Sequence, residues 1–180
     1  MSTTDEQIKE LESTVRDRAF DRLWMIGQPG AGKSHMTRWL ASHTMAMTIH
    51  VGELLRQKHG DDYFTNHKES SLAPLDVEVE AMELVAAAIK QAAAQDTVLI
   101  VDSLKHPRQV EVIPSHDRDV VIMVETDPKQ LRERMRDAKD SRKRLWAAAN
   151  KEWGITRADL ITAIEEAGIP IRYVQNNVEK

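Results

Sequence analysis

The chain has 180 residues, of which 41% are hydrophobic and 30% charged, and these values are typical of one globular domain with a single core. The formal net charge of −4 gives no general attraction to nucleic acid, and no apolar run approaches the roughly 20 residues that span a bilayer. The absence of cysteine excludes disulfides, thiolate zinc sites and thiol nucleophiles. Because the first 20 residues are acidic and amphipathic rather than signal-like, we expect a cytoplasmic protein without membrane or nucleic-acid partners. The sequence leaves the oligomeric state open.

The predicted elements alternate between helices and strands. An amphipathic helix is expected over residues 4–20, where Ile8, Leu11 and Val15 recur at helical spacing. Short apolar runs predict five strands, at residues 23–26, 46–51, 97–101, 119–124 and 169–174. Helices fill the gaps, except that residues 60–75 are polar and end in proline, as a surface loop or small insertion would. This order predicts one α/β domain over residues 1–180, with a five-stranded parallel sheet between two helical layers.

A glycine-rich stretch lies between the first strand and the next helix. Its residues, Gly27-Gln28-Pro29-Gly30-Ala31-Gly32-Lys33-Ser34, fit the pattern G-x-x-x-x-G-K-[ST]. This pattern is typical of a phosphate-binding loop (P-loop), whose glycines let backbone N–H groups turn toward an anion. Lys33 would reach the terminal phosphates, and the Ser34 hydroxyl would be a ligand of Mg²⁺. We therefore predict a P-loop NTPase fold in which residues 27–35, His35 included, bind ATP.

Asp102 ends the third predicted strand, where P-loop folds place the acid that holds Mg²⁺, usually through water. Ser103 follows it, whereas many ATP-hydrolysing motors carry Glu at that position to activate water. This difference favours transfer of a phosphoryl group to a bound acceptor. The nearest string to the guanine-reading pattern Asn-Lys-x-Asp ends in Trp153 rather than Asp, so a GTPase is not indicated.

The P-loop, the segment Gly52-Glu53-Leu54-Leu55-Arg56 and Asp102 together resemble the adenylate kinase-like nucleoside monophosphate kinases. The resemblance covers most of residues 22–177. It implies a region at about 50–75 that opens the acceptor site, with Gly52 and Glu53 at its start. Arg56 occupies the place of the family's arginine that grips the monophosphate, and a planar guanidinium suits phosphate oxygens.

The segment 102–111 resembles the family's Asp-Gly-Phe-Pro-Arg-x-x-x-Gln segment with a shorter turn. Lys105 and Gln109 keep the family's spacing between a phosphate-binding cation and a base-reading Gln. Arg108 is the alternative cation, because the literal Pro-Arg pair is Pro107-Arg108. The resemblance leaves both open.

A strongly basic segment occupies residues 131–145. Its cations are Arg132, Arg134, Arg136, Lys139, Arg142, Lys143 and Arg144. By the resemblance this segment is a short lid, whose arginines close over the triphosphate and act catalytically with Lys33. Arg134 matches the family's Glu-Arg pair, and Arg142 and Arg144 compete for the distal lid position.

These expectations describe a magnesium-dependent phosphotransferase that moves the γ-phosphoryl group of ATP to a nucleoside or deoxynucleoside monophosphate. Two alternatives stay open. One is a P-loop kinase of a small non-nucleotide acceptor, and the other is a nucleotide-binding regulatory module without catalysis.

Overall fold

The computed structural model of the chain describes residues 4–60, 75–102, 104–114 and 116–177, without the side chains of residues 4, 75–79, 140–146 and 148. The helices in these ranges are α1 (Thr4–Arg16), α2 (Lys33–His43), α3 (Val51–His59), α4 (Leu75–Ala94), α5 (Pro107–Glu111), α6 (Pro128–Asp137) and α7 (Asp140–Glu166). The strands are β1 (Arg22–Gly27), β2 (Met47–His50), β3 (Leu99–Asp102), β4 (Asp119–Glu125) and β5 (Ile171–Gln175). None of the described helices has the length and apolarity needed to cross a bilayer.

The five strands form one parallel sheet in the order β2-β3-β1-β4-β5, which confirms the predicted fold class. β1 is central, because Arg22 pairs with Leu99 of β3 on one side and with Asp119 of β4 on the other. Helices cover both faces, so the central strands have continuous apolar runs between their ends rather than an alternation with polar residues. The chain therefore leaves the end of β1 at the middle of the sheet.

Alternate residues of β1 enter two separate cores. Leu23 and Met25 pack with buried residues of α1 and α2, whereas Trp24 and Ile26 pack with those of α3, α4, α5 and α7. Because successive side chains of a strand point to opposite faces, one buried strand joins both helical layers. This arrangement fixes the end of β1, and with it the P-loop, relative to every neighbouring element.

Several element boundaries differ from the sequence-based prediction. The first helix ends at Arg16 rather than at residue 20, because Arg18 adopts a positive φ of 52° that turns the chain toward β1. The second strand ends at His50, and Val51, which continues the apolar pattern, begins α3 instead. The loop predicted at 60–75 falls almost entirely outside the described residues.

The amino end of the sheet contains a buried ion pair. Arg22 is 5% exposed and Asp119 is 2% exposed. The Arg22 guanidinium binds both carboxylate oxygens of Asp119, one of them at 2.6 Å, and it also donates to the Pro114 carbonyl at 2.7 Å. The charges at this end are therefore satisfied within the chain itself.

Candidate active site

The P-loop lies at the carboxyl end of the central strand, between the last residue of β1 and the first turn of α2. In parallel sheets ligands bind at this edge, because loops from several strands meet there. β3 ends beside it in Asp102, and β2 ends one strand further along in His50. The fold thus brings together residues that are up to 75 positions apart in the sequence.

Two glycines of the P-loop are required by close backbone approaches. Gly27 has a φ of 143°, and a Cβ atom there would overlap the carbonyl oxygen of Val124 on β4. Gly32 has a φ of 94°, and a Cβ atom there would overlap the side-chain amide of Asn176. Other residues rarely adopt either backbone conformation. The glycines of the motif therefore let the loop lie against β4 and against the segment after β5.

Lys33 begins α2, and its side chain folds back over the loop. Its Nζ donates to the carbonyl oxygens of Gly27 at 2.8 Å and Gln28 at 3.2 Å. Burial, opposed by the charge of Asp102 and aided by the positive charge of Lys105, lowers the pKa of Lys33 to about 8. A bound anion would stabilise the charged form of this buried ammonium group.

Ser34 and Asp102 contact each other across the loop. The Ser34 hydroxyl donates to Asp102 Oδ2 at 2.6 Å. Burial acts to raise the pKa of Asp102, but hydrogen bonds from His50 and Ser34 and the charge of Lys33 outweigh it, so this pKa lies below its usual value. The carboxylate is therefore ionised at neutral pH.

This pair fits the chemistry that Mg²⁺ requires. A hydroxyl and an ionised carboxylate are both hard oxygen ligands, and Mg²⁺ usually keeps several waters and binds through few protein groups plus substrate phosphates. The residues that the structure describes contain no cluster of three or more His, Cys, Asp or Glu side chains able to hold a metal. The pair of Ser34 and Asp102 thus agrees with a Mg²⁺ that is held partly by substrate phosphates.

His50 is a site residue that the sequence analysis missed. Its Nδ1 lies 3.3 Å from Asp102 Oδ2, and the hydrogen bond with Asp102 raises the pKa of His50 despite partial burial. The strand register pairs His50 with Asp102 directly. Knowing that β2 and β3 are neighbours would have been enough to find it, but the sequence alone does not give the strand order.

The predicted acceptor residues of α3 lie just beyond His50. Gly52 and Glu53 are in its first turn, and Glu53 is close enough for its charge to contribute to the raised pKa of His50. Arg56 is exposed in the last turn of the same helix. The remainder of the predicted acceptor region, residues 61–74, lies outside the described residues.

The two alternative cations of the segment after β3 have different surroundings. Lys105 and Lys33 line one small cavity of about 30 Å³, together with Gly27, Pro29 and residues of α7. Arg108 instead lies exposed on α5 and pairs with Glu111 at 3.3 Å. Of the two, Lys105 is the one that the fold brings to the P-loop.

Gln109 has a structural role that its predicted function did not anticipate. It is fully buried at 0% exposure, and its Oε1 accepts backbone hydrogen bonds from Lys105 at 2.5 Å and His106 at 3.0 Å. The side chain thereby caps the amino end of α5. This oxygen is therefore committed to two backbone donors, and the reading of an acceptor base by Gln109 stays a prediction.

The predicted lid falls on α6 and the first turns of α7. Arg134 reaches back from α6 to the outer side of the P-loop, donating to the carbonyls of Gly30 and Ala31 at 3.3 Å and of Asn176 at 2.9 Å. Burial lowers its pKa. The side chains of Arg142 and Arg144 lie outside those that the structure describes, so their lid role stays a prediction.

Gln28 connects the P-loop to α7. Its Nε2 donates to Asn150 Oδ1 at 2.7 Å. Gln28 also lines a polar cavity of about 320 Å³ at the ends of β4 and β5, together with Trp153 and Arg157 of α7. The helix α7, whose first turns belong to the predicted lid, is thus in direct contact with the loop that follows β1.

Comparison with known families supports this geometry. A family model described as AAA domain, AAA_17, matches residues 26–152, which is more than half of the chain and includes the P-loop, β3 and Asp102. The chain belongs to this AAA domain family. The resemblance predicted from the motifs is thereby confirmed at the level of a P-loop kinase-like domain. The nucleoside monophosphate acceptor stays a prediction for this AAA domain.

The fold of this AAA domain is shared with solved structures. One of them, the unliganded crystal structure of a sugar kinase from Janibacter sp. HTCC2649, superposes with a TM-score of 0.57. The match covers 87% of this chain and 85% of that chain at 11% sequence identity. At this identity it shows that the two proteins share a fold, and it does not identify the substrate of this chain. No curated protein sequence matches the chain significantly.

Proposed function

We propose that this protein is an ATP-dependent phosphotransferase whose acceptor is a nucleoside or deoxynucleoside monophosphate. The observation that carries the proposal is the convergence of Lys33 and Lys105, from the loops after β1 and β3, on one cavity. Burial lowers the pKa of Lys33 and the charge of Lys105 adds to this effect, so an anionic ligand beside both ammonium groups is favoured. A monophosphate acceptor facing a triphosphate donor supplies that negative charge from both sides.

The donor's terminal phosphates would lie against the P-loop, with Lys33 exchanging its backbone carbonyl partners for phosphate oxygens. Ser34 and Asp102 would hold Mg²⁺, which supplies neutralisation of phosphate charge. The chain's own contribution is a fixed cradle of backbone N–H groups at the start of α2 and a cation that faces it. Catalysis would arise from positioning and charge stabilisation, with no covalent intermediate on the protein.

The acceptor's phosphate would bind Lys105 and Arg56. The bond from the γ-phosphorus to its bridging oxygen breaks and a bond to an acceptor phosphate oxygen forms, which leaves ADP and a nucleoside diphosphate. An ionised phosphate oxygen is already a nucleophile, so the transfer needs no proton acceptor on the chain.

A second candidate acceptor is a small molecule with a hydroxyl group. A hydroxyl must lose its proton during transfer, and the contact of His50 with Asp102 at the end of β2 provides a candidate proton acceptor beside the P-loop. This reading gives Lys105 no necessary role. The two candidates therefore differ in which residue they require.

The proposal is tested by supplying ATP and Mg²⁺ with a panel of nucleoside monophosphates, deoxynucleoside monophosphates and sugars. Formation of ADP and of the phosphorylated acceptor is followed by mass spectrometry. Lys105→Met should impair use of the best monophosphate, whereas Arg108→Met, a matched change three residues later on the exposed face of α5, should not. Phosphorylation of a sugar alone, or equal effects of the two variants, would contradict the proposal.

A further inference from the structure

Three side chains from separate elements converge on one backbone carbonyl of the P-loop. The oxygen of Ala31 accepts hydrogen bonds from Asn176 Nδ2 at 2.6 Å, Thr126 Oγ1 at 3.0 Å and Arg134 Nη1 at 3.3 Å. Thr126 follows β4, Asn176 follows β5, and Arg134 lies on α6. Such a concentration of donors on a single carbonyl fixes the orientation of its peptide group.

The orientation of that peptide matters for anion binding. In a trans peptide the C=O of Ala31 and the N–H of Gly32 point in opposite directions. Holding the carbonyl against Thr126 and Asn176 therefore turns the Gly32 N–H away from them, into the concave side of the loop. Successive inward N–H groups of this kind form an anion-binding concavity. A flipped peptide would instead present a carbonyl oxygen to the phosphate.

Asn176 is the strongest of the three donors. Arg134 Nη1 is shared among the carbonyls of Gly30 and Ala31 and the Thr126 hydroxyl, each at 3.3 Å. The single Thr126 proton is divided between Ala31 and the carbonyl of Asn176 at 3.3 Å. Asn176 is 4% exposed, and it occupies the space that a Cβ atom on Gly32 would need. Gly32 and Asn176 thus form a matched pair, in which the missing side chain of one admits the amide of the other.

We propose that Asn176, supported by Thr126 and Arg134, is a positioning residue that holds the 31–32 peptide in its phosphate-binding orientation. The inference rests on the proposed function only in taking the P-loop as the phosphate site. Asn176 acts through the backbone of Ala31 and Gly32 and touches no phosphate itself.

The test measures binding of inorganic pyrophosphate with Mg²⁺ by calorimetry, together with the ¹H shift of the Gly32 amide. Asn176→Asp keeps the size of the side chain but replaces the donor with an oxygen that repels the Ala31 carbonyl. In the wild-type protein the Gly32 amide ¹H resonance should move downfield when its N–H binds pyrophosphate. In Asn176→Asp we expect roughly tenfold weaker binding, as for a lost hydrogen bond to a well-placed carbonyl, and no such downfield movement. Asp96→Asn, which changes an exposed ion pair with Arg18 near the amino end of the sheet, should leave pyrophosphate affinity unchanged.

Because the new carboxylate also adds a negative charge, an uncharged pair of variants completes the test. Thr126→Val removes the hydroxyl at constant shape and should weaken binding, and Thr126→Ser should restore it. Unchanged affinity and an unchanged Gly32 shift in both Asn176→Asp and Thr126→Val would overturn the inference. A wild-type protein that binds no pyrophosphate would overturn both this inference and the P-loop site. Asn176-dependent binding without any product from the acceptor panel would support the inference and refute the proposed function alone.

Discussion

The two ends of the sheet treat buried charge in opposite ways. At the amino end, Arg22 and Asp119 satisfy each other through two contacts, and the Pro114 carbonyl accepts a further hydrogen bond from the guanidinium. At the carboxyl end, Lys33 lies on backbone carbonyls and has a pKa lowered to about 8 by burial. Buried charges that pair with each other are closed structural units, whereas a buried cation held only by neutral carbonyls in a cleft marks a site that binds something else. We infer that the first end stabilises the fold and the second receives the ligand.

The comparison predicts a separation of effects. Changes at the amino end should lower the free energy of unfolding without altering turnover per folded molecule. Changes at the carboxyl end should lower turnover without lowering the free energy of unfolding.

The largest effect is expected for Asp119→Asn. It leaves the Arg22 guanidinium buried without a counter-charge, and breaking a buried pair in this way costs about 3–5 kcal/mol of unfolding free energy. Urea denaturation measures the loss. The control is Asp96→Asn, which removes an exposed partner of Arg18 and should shift the urea midpoint little, because solvent screens such pairs. Equal shifts for the two variants would contradict a structural role specific to the buried pair.

Lys33→Ala should give the next largest effect, on turnover. Removing a positioned cation from the phosphates is expected to lower kcat about 10²- to 10³-fold, measured as ADP formation with the best acceptor. The melting temperature should stay the same or rise, because burial no longer penalises the ammonium group. Near-normal turnover in this variant would show that the P-loop is not the catalytic site.

Arg56→Ala should have a smaller and more selective effect. Loss of a charge-assisted contact to the acceptor phosphate is expected to lower kcat/KM for the acceptor. The corresponding loss of transition-state stabilisation is about 1.5–3 kcal/mol, while the KM for ATP changes little. Lys58→Ala is the matched control on the same helix, because Lys58 pairs with Glu80 of α4 rather than facing a substrate. Equal losses for donor and acceptor would remove Arg56 from the acceptor site.

The P-loop was predictable because its information is local. Eight consecutive residues specify the turn, the cation and the hydroxyl, and Asp102 could be placed by its position at the end of an apolar run. His50 and Asn176 were not predictable in this way, because each acquires its role from a strand neighbour or a loop more than 50 residues away. Gln109 shows that a local spacing match can also leave the role of a side chain undetermined. Its spacing matched a base-reading residue, but the short turn before α5 left two backbone donors that its side chain caps.

The smallest expected effect concerns residues 131–145, and it separates a kinase from a regulatory module. A kinase must exclude water around the moving phosphoryl group, so this basic segment should close when both substrates are bound. The contact of Gln28 with Asn150 gives α7 a direct connection to the loop that would sense the donor. Amide hydrogen exchange across 131–145 should therefore slow with a mimic of two nucleosides joined by five phosphates, beyond the slowing seen with ATP or the acceptor alone. Exchange in β1 and β4, which are already buried, should not change and serves as the internal control. A segment that never responds to joint occupancy, in a protein that also yields no diphosphate product, would favour the regulatory module.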